Sequence, residues 1–140
     1  KKIWKKIEIM NRHKGGCICG KVKFIVNLDE KPRVFNCHCI DCRKKLGGMI
    51  SIIDLREDAI DIDKNKLAIY EHKGGSGNII NKYYCKKCTA PVLTYVAKWK
   101  KFYLYAGLLD DISILKTASN IYFKDSHFPF MEIDEKKIKV

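Results

Sequence analysis

An all-β domain is the fold class this sequence predicts, and three observations predict it. Short stretches with apolar residues at alternate positions recur along the chain, glycine-bearing turns separate them, and no segment sustains the 3.6-residue apolar period of an amphipathic helix. The 140 residues suit one domain, in which roughly two thirds of the unfolded surface is buried. No repeat, low-complexity linker or charge block divides them.

In chain order, residues 1–12 read as a basic arm with scattered apolar positions (Ile3, Trp4, Ile7, Ile9) leading into a strand. Residues 21–26 place Val22, Phe24 and Val26 at period two, the mark of a strand with one buried face. Residues 28–32 make a turn and Val34-Phe35 a short strand. After Gly47-Gly48 comes a buried strand over 49–53, and the acidic stretch 54–63 reads as a loop with one helical turn. Strands over 66–70 and 79–84 flank Gly74-Gly75-Ser76-Gly77. That stretch lacks the following Lys-Ser/Thr of a phosphate cradle and reads as a hairpin connection. Residues 91–95 and 102–106 form a further hairpin, 121–123 a last strand, and 131–140 a loosely alternating tail.

Seven cysteines fall as two, three and two: Cys17 and Cys19; Cys37, Cys39 and Cys42; Cys85 and Cys88. Thiolates at such short spacings are soft ligands for zinc. On a flat strand, residues two apart share a face nearly 7 Å from each other, whereas sulfurs on one zinc must approach within about 4 Å. The Cys17-x-Cys19 segment must therefore bend, and Gly15, Gly16 and Gly20 allow it. Two closed zinc sites need eight ligands, so seven sulfurs divide into a closed four and an open three. Closed four-cysteine sites are structural, and catalytic zinc keeps a free position. The economical partition joins Cys17, Cys19, Cys85 and Cys88 and leaves Cys37, Cys39 and Cys42 open. It is not forced. Cys39, Cys42, Cys85 and Cys88 fit a zinc ribbon, a single structural zinc would leave three ordinary cysteines, and His38 offers an eighth ligand. His13, His72 and His127 read as surface residues.

The formal net charge is +12, but lysine is spread along the whole chain, which favours solvated background over a phosphate-tracking face. The rival functional reading is a binding module for protein or nucleic acid, with Trp99, Phe102, Tyr103 and Tyr105 as stacking groups, half of them core if they alternate on a strand. Cysteines without a visible secretory signal point to metal and to a reducing, cytoplasmic compartment. The chain begins at Lys1, so a targeting segment upstream stays open. Apolar runs such as 49–53 and 91–93 fall well short of the roughly 20 residues of a membrane span.

Three linked motifs carry a resemblance. Gly15-Gly16-Cys17-x-Cys19-Gly20-x-Val22-x-Phe24, Cys37-His38-Cys39-x-x-Cys42-Arg43-Lys44 and Tyr84-Cys85-x-x-Cys88-x-x-Pro91 together resemble the glutathione-dependent formaldehyde-activating enzyme family, which includes centromere protein V. The resemblance covers roughly residues 13 to 130, leaving 1–12 as an arm and 131–140 as a tail. It implies a small antiparallel β-tent clasped by structural zinc, two zinc ions, and carbon–sulfur lyase-type chemistry joining glutathione and formaldehyde as S-hydroxymethylglutathione. By position it implies Cys17, Cys19, Cys85 and Cys88 as structural ligands and Cys37, Cys39 and Cys42 as catalytic ones. Gly47, Gly48, Ser76 and Gly77 fall where the family has small residues near the site. Arg43, Lys44, Lys45 and Lys73 are candidates for the carboxylates of glutathione. The chain departs from the family at Thr89 (commonly glycine), Ala90 (threonine), Asn120 (often histidine) and Phe130 (often tryptophan).

Overall fold

Alternation builds the two sheets. In the computed structural model, which describes residues 11–131, strand β1 (Arg12–Gly16) pairs antiparallel with β2 (Lys23–Asn27), and β2 with β5 (Ile60–Ile62). The second sheet has seven strands in the order β10-β3-β4-β9-β8-β7-β6. These are β3 (Val34–Cys37), β4 (Ile50–Arg56), β6 (Leu67–Lys73), β7 (Ile79–Cys85), β8 (Pro91–Val96), β9 (Lys101–Tyr105) and β10 (Ser119–Ile121). All its pairings are antiparallel except β10 on β3. The expected all-β class holds. Val22, Phe24 and Val26 all face inward and are buried, as their period of two requires. They meet Ile53, Leu55, Leu93, Phe102 and Leu104 of the large sheet in one apolar core, where each buried side chain of this size stabilises by roughly 1.5–3 kcal/mol.

Four local expectations need correction. The cysteine triplet, where the sequence reading has a loop, runs into helix α1 (Ile40–Leu46). The acidic stretch 54–63 is no loop: it contains the end of β4 and all of β5, with the one helical turn falling just beyond, at Lys64–Lys66. The last strand stops at Ile121, because Tyr122 takes left-handed angles (φ 54°) and starts the short helix α2 (Phe123–Ser126). Of the three glycines around Cys17, only Gly20 uses a left-handed angle (φ 77°). Gly15 and Gly16 are needed for close approach: a Cβ would stand 2.3 Å from the Leu108 carbonyl oxygen and 2.5 Å from that of Val22, respectively. The strand expected near Ile7 and Ile9 and most of the tail, from residue 132, lie outside the described residues.

Helix α1 reveals the curvature of the large sheet. It leaves β3, yet its Asp41 carboxylate accepts a hydrogen bond from Gly75 N at 3.0 Å, in the β6–β7 loop. Its Lys45 ammonium stands over Tyr70 of β6 at 4.6 Å and over Tyr84 of β7 at 5.8 Å. In sheet order β3 and β6 are five places apart, about 24 Å if flat, whereas a seven-residue helix is about 10 Å long. The sheet therefore curls, and α1 bridges across one of its faces.

Candidate metal centre and active site

The first cysteine cluster grows from two bends. After β1, Gly20 N donates to Cys17 O (3.0 Å) and Cys17 N to Val22 O (3.1 Å), closing a turn. At the end of β7, Thr89 N donates to Cys85 O (3.0 Å) and Cys85 N to Ala90 O (2.9 Å). Each bend aims backbone N–H groups at sulfur: Val22 N at Cys17 Sγ (3.3 Å), Lys21 N at Cys19 (3.4 Å), and Lys87 N and Cys88 N at Cys85 (3.3 and 3.4 Å). Such donors stabilise thiolate over thiol. The four sulfurs lie within 4.8 Å of one another. Cys17 and Cys19 sulfurs are 3.5 Å apart, and those of Cys19 and Cys85 are 3.7 Å apart. Both spacings are far beyond a disulfide bond of about 2.05 Å and close to the edge, about 3.8 Å, of a tetrahedron around zinc. The donor set and spacing fit a zinc ion.

The second cluster belongs to one short segment. Cys37 ends β3, Cys39 caps α1 by accepting from Cys42 N (3.3 Å), and Cys42 lies in the first turn. Their sulfurs also lie within 4.8 Å of one another. Hydrogen bonds from the Cys37 and Cys42 thiols pull Cys39 down, while contact with Cys37 and Cys39 pushes Cys42 up. The three cannot all ionise unaided, and a divalent cation is what would take all three as thiolates. This set too fits zinc, with three protein ligands.

His38 joins neither group. It is buried, its Nε2 lies 3.0 Å from Asn120 Oδ1, and its ring packs edge-on against Phe123. Among the described residues the clusters hold cysteines alone, and the zinc-ribbon pairing of Cys39 and Cys42 with Cys85 and Cys88 is not the grouping formed.

Of the residues read as substrate-binding, Arg43 is half-buried with an unpaired Nε, Lys44 is exposed, and Lys45 is held over Tyr70 and Tyr84. Gly47 ends α1 in a left-handed conformation, and Gly48 lies 3.8 Å from the Phe128 ring. Lys73 is exposed at the end of β6. Ser76 and Gly77 share the loop that Asp41 ties to α1, with Ser76 Oγ accepting from Asn78 Nδ2 at 3.1 Å. Sequence reasoning did not single out Tyr105 beside the cysteine triplet. It is buried, its hydroxyl is 3.5 Å from Thr94 Oγ1, and burial followed by the field of Cys42, Cys37 and Cys39 pushes its phenol up to about 12. The alternation on β9 was the available signal. The stacking surface of the rival reading shrinks accordingly: Phe102 and Tyr105 are buried, Tyr103 is half-buried and Trp99 is exposed.

The glutathione-dependent formaldehyde-activating enzyme family model matches residues 12–125. The chain belongs to that family. A Halomonas elongata protein provisionally named a glutathione-dependent formaldehyde-activating enzyme is 28% identical over 102 residues, covering 69% of this chain. The match spans 64% of that relative's length. A crystal structure of a Rhodobacter sphaeroides protein shares the fold at a TM-score of 0.58 and 19% identity, covering 77% of this chain and 99% of the other. Among the described residues no helix is long and apolar enough to cross a membrane.

Proposed function

We propose that the chain is a zinc-dependent enzyme that joins glutathione, or another small thiol, to formaldehyde as S-hydroxymethylglutathione. The observation that carries this reading is the inequality of the clusters, four sulfurs in one and three in the other, within a family described by that activity. Zinc held by Cys37, Cys39 and Cys42 would supply a soft position at which a substrate thiol loses its proton readily. In the reaction a C–S bond forms, the carbonyl π-bond opens, and the thiol proton ends on the former carbonyl oxygen. Cys39 stays oriented by its bond from Cys42 N. Tyr105 offers a phenolic O–H on the triplet's side of β9, suited to donate to the aldehyde oxygen as negative charge develops there. Because the uncatalysed addition is easy, much of the gain comes from positioning.

Exchange NMR on glutathione and formaldehyde tests this. Zinc-loaded protein should speed interconversion with S-hydroxymethylglutathione above the buffer rate, and Tyr105→Phe should lower that acceleration about 10- to 100-fold. A zinc-loaded wild type that leaves the buffer rate unchanged would sink the enzyme reading.

A further inference from the structure

Lys82 is placed where an ammonium seldom sits. It lies mid-strand in β7 at 7% exposure, and lysines are almost never this buried without a partner. Among the described residues its ammonium makes no ion pair and no hydrogen bond. Its Nζ is not sealed in, since the sequestered atoms lacking a partner there are Asn27 Oδ1, Arg43 Nε, His72 Nε2 and Asn81 Oδ1. Lys82 thus combines a buried stem, an accessible tip and an unmatched charge.

Register gives its neighbours. Asp54, Tyr103, Thr94, Lys82 and Tyr70 form one straight row across β4, β9, β8, β7 and β6, so all five share a face. It is the face opposite the core row of Ile53, Leu104 and Leu93. Tyr105, two residues on from Tyr103, shares it, touches Thr94, and feels the charge of the cysteine triplet. Lys45 of α1 reaches Tyr70, the other neighbour of Lys82. The face bridged by α1 therefore runs from the triplet, past Tyr105 and Thr94, to Lys82. The carboxylates around it are engaged or turned away. Asp41 is bonded to Gly75 N, Asp54 to Lys101 and Arg33 at the far end of the row, and Glu71 pairs with Asn81 at the opposite parity.

We propose that Lys82, with the Thr94 hydroxyl beside it, is the carboxylate anchor of the face that α1 bridges, binding an acid group of the substrate whose sulfur is presented to Cys37, Cys39 and Cys42. β7 stands two strand spacings, about 10 Å, from β9, a span that suits a peptide thiol carrying carboxylates several bonds from its sulfur. Which thiol it is rests on the function proposed above; the anchor itself selects acid-bearing thiols over neutral ones.

Calorimetric titration of the zinc-loaded full chain tests this, with glutathione, glutathione diethyl ester and 2-mercaptoethanol as probes. Lys82→Met, which keeps the apolar stem, should weaken glutathione about 10- to 100-fold and leave ester and 2-mercaptoethanol affinities unchanged. Lys82→Arg should recover most of the loss. Equal glutathione affinity in wild type and Lys82→Met overturns the anchor. Should that variant not fold, the wild type alone decides: the ester should bind about 10- to 100-fold more weakly than glutathione, and equal affinities overturn the proposal. The two readings fail differently. Glutathione binding no tighter than 2-mercaptoethanol removes the anchor but keeps a thiol site, whereas binding of no thiol at all takes the glutathione reading down with it.

Discussion

Thr89 stands where the family resemblance leads one to expect glycine, and its backbone shows what a glycine would relieve. Its φ is 64°, a left-handed conformation that costs an L-residue about 1–2 kcal/mol and that β-branched residues rarely adopt. The bend after Cys88 enforces it, because Thr89 N must reach Cys85 O at 3.0 Å. The threonine recovers part of the cost through its hydroxyl, which donates to Cys88 O at 2.6 Å. Thr89→Gly removes the strain and adds back some unfolded-state entropy, so stability should rise by about 1 kcal/mol. Denaturant midpoints measured with zinc present check this, and a fall would mean that the hydroxyl bond outweighs the strain. Position 89 was legible as a departure, but its meaning lies in a dihedral angle. Lys82 and Tyr105 were likewise in plain view as residue types. What the roles proposed for them rest on is the company that strand register puts beside them, and register is set by partners far away in sequence.

Elements were legible in proportion to how strongly one face is buried. Val22, Phe24 and Val26 declared β2 because a core lies on one side of it, and the Gly74–Gly77 hairpin was announced by its glycines. Helix α1 was not, since a seven-residue helix gives no second turn in which a 3.6 period can show. Its real signals are the Cys39 cap and the left-handed Gly47 that ends it, and both were absorbed into the cysteine motif. The β5 strand alternates weakly and is held by pairing with β2, and tertiary pairing of that kind overrides local propensity. β1 was half-read. Its glycines were credited with bending, whereas Gly15 is a contact surface: a Cβ there would stand 2.4 Å from the Phe24 ring and closer still to Leu108 O. Gly15→Ala must therefore push β1 off β2 or off the 106–109 turn, and an overpacked site of this kind costs about 1–3 kcal/mol. Thermal melts should show that loss with both metal sites still filled. A neutral Gly15→Ala would mean that the turn yields freely.

At the scale of the molecule the two clusters do different mechanical work. Cys17 and Cys19 lie in the turn that joins two strands of the three-stranded sheet, and Cys85 and Cys88 at the end of β7 and in the turn after it, so an ion there would staple the sheets together across 66 residues of chain. Cys37, Cys39 and Cys42 lie in one segment running from the end of β3 into α1, and an ion there would order little that β3 and α1 do not already order. Zinc sites contribute directly to folding, on the order of 10 kcal/mol in small zinc peptides, and closing a long loop costs the unfolded chain more entropy than closing a short one. Loss of the staple should therefore be far the more damaging. Protein purified under reducing conditions should carry two zinc ions per chain by metal analysis. Cys85→Ser should abolish a cooperative melt or lower it steeply, and Cys39→Ser should melt near the wild type while holding about one zinc fewer. The comparison also reads function, because the sulfurs that the fold can spare are the ones free to serve a substrate. If Cys39→Ser collapses and Cys85→Ser melts normally, the staple lies at the triplet, and the open position proposed for the thiol has been assigned to the wrong ion.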